Sequence, residues 1–564
     1  MEQRFLVLGA MPRDAQPDTH IAAGPWCFAG REEDFPDFEE HFVFAPEPLL
    51  DRNLENIVAR RAQVLCADIV QQIARNICPW AGTLPEVYFD TLLAPWAITV
   101  AKQIVERFER VKAMIRSFGS EHLRVELLPP DCSFNFADEQ SLTLYGVLGT
   151  NWNHWIFSRL LETCSPDAWE LDYLPPVHES HAIPQATGLR AQLRRLLLCL
   201  PCPKLKGMGL CQALRFSCSL LKPRFGVDRS IPLQAFGSKA RGMTLDLPMD
   251  PLPIFMASLP SSIKNLPHPR RVRPALWPML RIASVVAYED AAYRQKLALW
   301  RARGHRLMFV QHGGNYGQVQ TVCDTEIVEY SQHAFGTWGW SKHAGAAGNF
   351  HPLPYPQLAS IADAWRGRSS RHLLVVGTEM PLFPYRLDAH PTPLQIVQYR
   401  DDKQWFFEAL GRALQARAFY RPYFPVPGTL RDADWLLPRF PKVRLSTGPL
   451  APQMLQCRVL VCDHHGTTMI EAMVANVPTI LYWSRPAWPM TAEAEALLEV
   501  LAHAGIWHAS AEDAAMKVRE IWADPLAWWH SRAVQNARRT FCALQGLVTE
   551  NNVNALWVHT LKKL

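Results

Sequence analysis

The chain has 564 residues, 48% of them hydrophobic and 20% charged, which excludes a disordered or low-complexity polymer and fits a globular protein with a sizeable core. The net charge of +5 is too mild to imply nucleic acid, but it suits an anionic ligand or an anionic membrane face. The length predicts two or three domains.

"RFLVLGAM" (Arg4–Met11) reads as a buried first strand, and its apolar stretch is too short for a signal peptide. No stretch approaches the roughly 20 apolar residues of a spanning helix, so a cytoplasmic protein is expected, with peripheral contact at the inner membrane face left open. Apolar residues at i, i+3, i+4 and i+7 predict helices over Leu54–Ser117. "HLRVELL" (His122–Leu128) and "ASVVAYED" (Ala283–Asp290) read as strands. The segment Arg190–Phe225 has eight basic residues and no acidic ones. It can lie on an anionic membrane or form a helix with a solvated basic face, and both readings stand. The 13 cysteines include one close pair, Cys199 and Cys202, without a matching second pair. They read as reduced core residues rather than a zinc site.

"AAYRQKLALWRARGH" is a helix stopped by Gly304, and "RLMFVQHGG" a strand running into a glycine turn. After a proline-containing linker at 351–370, strands and helices alternate. "HLLVVGTE", "KVRLSTG", "CRVLVCD" and "PTILYW" are strands; "KQWFFEALGRALQARA", "TTMIEAMVAN" and "SAEDAAMKVREIWAD" are helices. The expected fold is α/β, with two Rossmann-like domains facing across a cleft. The amino-terminal domain takes 1–350 and the carboxy-terminal one 371–535; a last helix (536–564) crosses back to the amino-terminal domain.

Ligands of open α/β sheets sit beyond the carboxyl ends of the strands, so the residues after strands are the candidates. In "VLVCDHHGTTMIEAMVAN" these are Asp463, His464, His465, Gly466, Thr467 and Thr468. A helix start there offers free N–H groups and the positive end of its dipole, with Gly466 allowing close approach, as a phosphate seat needs. Glu471, one turn on, can accept from ribose hydroxyls; alternatively Thr468 and Glu471 form a capping box. In "VQHGGNYG", His312 can donate to a phosphate or act as acid or base near neutral pH, within a turn made flexible by Gly313, Gly314 and Gly317. No Gly-Lys-Ser/Thr follows, so this is not a Walker loop. Arg421, after a short strand at Ala418–Tyr420, can pair with a phosphate or carboxylate, or be a surface arginine. Glu289 and Asp290 can supply a base or nucleophile, or cap the next helix. Adjacent His464 and His465 rarely converge on one ion, and no metal or other cofactor is expected.

"RFLVLGA…GPWC", "FVQHGGNYG…FGTWGW" and "DHHGTTMIEAMVANVPTILYW" resemble a family of bacterial surface-polysaccharide transferases with a Gln-His-Gly-Gly-x-Tyr-Gly motif. The resemblance runs from Phe5 to about Asp513. It departs from the family at His464–Gly466, where small residues are usual. The second half is also similar in layout to GT-B glycosyltransferases and CDP-glycerol glycerophosphotransferases. The resemblance implies that Thr467, Thr468 and Glu471 hold a nucleotide; by position at a strand end across the cleft, His312 is expected to be catalytic, with Gln311, Gly313, Gly314 and Tyr316 on the donor side. The resemblance also implies transfer of a sugar from a nucleotide donor to a glycan or glycolipid, with a CMP-linked ulosonic acid such as Kdo the leading donor by analogy with Kdo transferases. A CDP-polyol phosphotransferase and an inactive glycan-binding subunit remain alternatives.

Overall fold

The computed structural model describes residues 3–77, 83–184, 188–189, 193, 197–198, 200–220, 228–239, 245–269, 280–549 and 553–564. Seven strands precede residue 182: β1 (Arg4–Val7), β2 (His20–Ala22), β3 (Val43–Phe44), β4 (Leu123–Leu127), β5 (Ser133–Phe136), β6 (Trp169–Tyr173) and β7 (His178–His181). Five form a parallel sheet in the order β3-β2-β1-β4-β6, and β5 pairs with β7. A second parallel sheet, β11-β10-β9-β8, is built from β8 (Leu280–Ala283), β9 (Arg306–Val310), β10 (Ala334–Thr337) and β11 (Phe350–Pro352). The third holds β12 (Leu373–Val376), β13 (Ala418–Arg421), β14 (Arg444–Leu445), β15 (Val459–Cys462), β16 (Thr479–Tyr482) and β17 (Trp507–His508), all parallel, in the order β14-β13-β12-β15-β16-β17. The α/β class with Rossmann-like parallel sheets is as expected from the alternation of elements.

Among the described residues the amino-terminal half holds two larger parallel sheets and the small β5–β7 pair rather than one sheet. About a hundred residues separate β7 from β8, and among the described residues the middle strands pair only with each other. The long helices Arg52–Ile77 and Glu86–Phe118 pack together and fill a core shared with both sheets. Along β9 the side chains alternate between two cores, as a strand's period of two requires. Leu307 and Phe309 enter this first core, while Met308 and Val310 enter a second one containing Leu460, Cys462, Met469 and Ile470. The same alternation in β12 and β15 sends Leu374 and Leu460 to the shared core, and Leu373 and Val459 to a third. The middle sheet is therefore a wall common to the two halves.

Two segments tie the halves further. Residues 351–370 are packed rather than loose: Leu353, Tyr355, Leu358 and Trp365 are buried in the shared core. The loop after β12 sends Leu382, Phe383, Leu387 and Ala389 into the first core, with Phe383 stacked on Trp26 at 5.1 Å. The last helix, Val553–Lys563, lies on the helix Leu210–Ser219. Trp557 stacks on Phe216 at 5.2 Å and donates to the Pro354 carbonyl at 2.8 Å.

The strand expected at Ala283–Asp290 is corrected. The strand is β8, ending at Ala283; Val286–Glu289 is a helical turn, and Asp290 caps the helix Ala291–Arg301 by accepting from the Tyr293 N–H. Of the basic segment, only 193, 197–198 and 200–220 are described; within it Phe216 is buried, while Leu210 and Leu214 are exposed. Cys199 lies outside the described residues, and burial pushes the Cys202 thiol up to about 12. No described helix is long and apolar enough to cross a membrane.

Trp557→Ala removes a buried ring, its stacking on Phe216 and its hydrogen bond to the Pro354 carbonyl. Unfolding by urea should show a loss of about 3–5 kcal/mol; a loss below 1 kcal/mol would mean that the tail is not part of the shared core.

Candidate active site

The strand order of the third sheet is that of a dinucleotide-binding Rossmann sheet, 3-2-1-4-5-6, with its switch point between β12 and β15. The loops leaving these two strands are clamped by Asp463. Its Oδ1 accepts from the Thr378 N–H at 2.9 Å and meets His464 Nδ1 at 2.9 Å; its Oδ2 is 3.8 Å from Lys403 Nζ. Asp463 is thus spent on holding two loops together. His465 is buried with its ring at 4.6 Å from that of Trp488, and neither ring nitrogen has a hydrogen-bond partner. Burial, then the neighbouring His464, pulls its pKa down to about 3.

The helix Thr467–Ala475 begins at Gly466 with no side-chain cap. The capping-box alternative is therefore absent, and no N-cap side chain covers the first N–H groups of the helix. Thr467 and Thr468 are half-buried. Glu471 points elsewhere: it accepts from Gln357 Nε2 and lies 3.7 Å from Lys206 Nζ, with burial raising its pKa.

What faces this helix start is the turn after β9. Gln311 holds that turn from within. Its Nε2 donates to the Gly313 carbonyl at 2.8 Å, and its Oε1 accepts from the Trp338 N–H and Trp340 Nε1, each at 2.9 Å. Gly314 makes the contact: a Cβ on it would meet the Gly466 carbonyl carbon at 2.2 Å and the Thr467 nitrogen at 2.4 Å. Gly317 is needed twice over, since φ is +73° and a Cβ would strike the Trp340 ring at 2.7 Å. Asn315 continues the contact, with Nδ2 at 3.2 Å from His390 Nε2 on the loop after β12. His312 is half-buried with its ring nitrogens 2.9 and 3.2 Å from Tyr316 Oη. Burial, then the charge of Arg386, lowers its pKa to about 4, so the imidazole is a neutral base near pH 7.

The structure thus brings together Gln311–Tyr316 and Asp463–Thr468. It does not bring Arg421, whose guanidinium donates to the Ser446 and Gly448 carbonyls at 3.3 and 2.6 Å. Glu289 is exposed, and the Asp290 carboxylate is used as a helix cap. Arg386 was missed by sequence reasoning. It sits in a cleft, packed about by protein atoms yet open to solvent, over the Tyr385 ring at 5.0 Å and with no carboxylate within 4.0 Å among the described residues. The Tyr385 phenol, first, and Asp388 hold its pKa above the ordinary arginine value. Among the described residues no three His, Cys, Asp or Glu side chains cluster to hold a metal ion.

The family model of LIC12162 family transferases matches residues 4–561. The chain belongs to this family. No curated protein matches the transferase. Among solved structures it is similar to a mutant of the Thermobaculum terrenum O-GlcNAc transferase, at 11% identity over 89% of this chain and 82% of that one, with a TM-score of 0.29.

Two measurements probe this geometry. Gly313→Ala should be tolerated, because its Cβ would meet nothing nearer than Thr467 Oγ1 at 3.8 Å, whereas Gly314→Ala should cost about 1–3 kcal/mol in urea unfolding; equal effects would contradict the contact. His465 is buried and unpartnered, so His465→Leu should be neutral or stabilising at pH 7.5. The folded histidine binds its proton only near pH 3, the unfolded one near pH 6.5. Wild-type stability from this group is full above pH 6.5 and is lost as pH falls toward 3. Buried acids such as Glu329 and Glu379, raised to about 8 and 7 by burial, run the other way, so the difference between variant and wild type is the readout. The variant's advantage should grow from pH 6.5 to 4; a constant difference would contradict the assignment.

Proposed function

We propose that this transferase is a glycosyltransferase that uses a nucleotide-activated sugar and delivers it to a glycan or glycolipid acceptor. The observation that carries this reading is the meeting of two strand-end turns: Gly313 and Gly314, which follow His312 at the end of β9, against the start of Thr467–Ala475 at the switch point of a Rossmann-ordered sheet. A helix start at a switch point is suited to a donor phosphate. Because Gly314 closes directly on the Thr467 nitrogen, the phosphate would lie beside this contact, toward Thr468 and Arg386. A neutral imidazole beside it can take the proton of an acceptor hydroxyl as the new glycosidic bond forms and the nucleotide leaves with the electrons of the old one. Thr467, Thr468 and Arg386 would balance the charge on that leaving group. Glu471 would reach a ribose only by exchanging its Gln357 contact.

The open cation Arg386 favours a donor with a charge to meet. That fits a carboxylated sugar such as an ulosonic acid on CMP, and it is why this donor stays first among the sugars. Placement in surface-polysaccharide synthesis at the inner membrane face is part of the same proposal.

Calorimetric titration of the full chain with CMP, CDP, UDP and GDP tests the reading; binding of none would end it. With the nucleotide that binds, Arg386→Gln should weaken affinity about 10–100-fold, the worth of a charged hydrogen bond of about 1.5–3 kcal/mol. His312→Ala should leave affinity within a few-fold and depress turnover about 10²–10⁴-fold. Turnover unchanged by His312→Ala would make the glycine turn structural.

A further inference from the structure

Near Arg386, the protein carries two exposed aromatic rings that the proposed donor site does not use. Tyr423 is 41% exposed and Phe424 63%, and the two rings stack on each other at 4.1 Å with 29° between their planes. Single exposed apolar residues are ordinary on a protein surface, but two neighbouring rings held face to face form a patch. This patch borders the candidate site. The Arg386 guanidinium lies over the Tyr385 ring at 5.0 Å. Tyr423 is near both: burial first, then the Tyr385 phenol, raises its pKa, while the Arg386 charge acts the other way. The same Arg386 charge acts on His312.

The loop that carries the rings is stiff. Pro422, Pro425 and Pro427 each fix φ. Val426 packs on the first core, and the Gly428 carbonyl accepts from the Leu382 N–H at 2.8 Å. Leu382 belongs to the loop of Arg386, so the rings and the cation are tied to each other. A ligand that stacks on rings already held in place costs little ordering of the protein. A pyranose is amphipathic in the way this patch requires. One face of the sugar is a set of C–H groups, drawn to the negative face of an aromatic ring, and its hydroxyl oxygens can accept from a guanidinium. Two rings among prolines make a footprint of sugar size, far below the interface of about 1,000 Å² that a protein partner needs. Glu471, the candidate for a ribose, faces Gln357 and Lys206, which leaves the rings near Arg386 to the acceptor. We propose that Tyr423 and Phe424 form a stacking platform for a pyranose of the acceptor glycan, with Arg386 at its edge.

The role as acceptor site rests on the glycosyltransferase reading; the stacking itself does not, and its test needs no donor sugar. The full chain is applied to an array of pyranose oligosaccharides from bacterial surface polysaccharides, and the oligosaccharide bound best is then titrated in solution. The double variant Tyr423→Ala, Phe424→Ala should bind that oligosaccharide about 10-fold or more weakly, with the affinity for the nucleotide that binds kept within about two-fold. Both rings are exposed, so the variant should unfold at the wild-type urea concentration. Tyr423→Phe keeps the ring and should keep the glycan. The proposal is overturned if the wild type binds no oligosaccharide of the array, or if the double variant binds as well as the wild type. It is overturned equally if Tyr423→Phe loses the glycan, since the hydroxyl rather than the ring would then be the contact. A nucleotide affinity that falls with the rings would assign them to the base instead of the acceptor. Ring-dependent glycan binding without binding of any nucleotide would end the transferase reading and leave the platform standing.

Discussion

The account depends on one close approach: backbone against backbone, at Gly314 and Gly466–Thr467. On the Gly314 side there is no room for a side chain, whereas a Cβ on Gly466 would meet only ordinary contacts, the nearest at 3.4 Å. Two turns from different sheets can meet this closely only where both strands end at the same level, which makes the contact a constraint on the relative placement of the sheets as well as on the site. The neighbouring contacts reinforce it. Asn315 reaches His390, and the loop carrying His390 is itself anchored in the amino-terminal core by Leu382, Phe383 and Leu387.

The middle sheet makes that constraint stiff. Its residues alternate between two cores, so a shift of β9 by one residue would put Leu307 and Phe309 into the wrong core and displace the Gln311–Gly317 turn by a strand repeat. The carboxy-terminal helices fill the same shared core. A large opening between the middle and carboxy-terminal sheets would therefore expose apolar surface from both, and the loop Tyr385–His390 is held in place by its buried Leu387 and Ala389. Arg386 sits on that loop with its charge turned to solvent, which suits a group that waits for an anion.

Legibility in the sequence followed the range of the interaction. The reading after residue 371 found five of the six strands of the third sheet and missed the two-residue β17, because parallel strands buried on both faces read as plain apolar runs, as in Val459–Cys462, while Trp507–His508 is too short to do so. The glycine turns were visible because closely spaced glycines mark backbone approach. Side-chain direction was not visible. Arg421 ends a strand as expected, yet its guanidinium is used on backbone carbonyls, and Glu471 faces the 351–370 segment. "ASVVAYED" misled because its β-branched pair reads as strand while Asp290 caps a helix. Arg386 was open to the rule that found the other turns, since it follows β12, but its loop is long and proline-rich and hid the relation. The division of the amino-terminal half into separate sheets depends on which strands pair across a hundred residues, and local pattern carries no record of that.

The central claim is that the turns at Gln311–Gly317 and Asp463–Thr468 form one site. Hydrogen–deuterium exchange of the full chain, with and without CMP, CDP, UDP or GDP in excess, tests it most directly. The account predicts that the nucleotide which binds slows exchange in peptides covering both turns together. Protection of one turn without the other by a bound nucleotide, or protection confined to a different part of the chain, would contradict it.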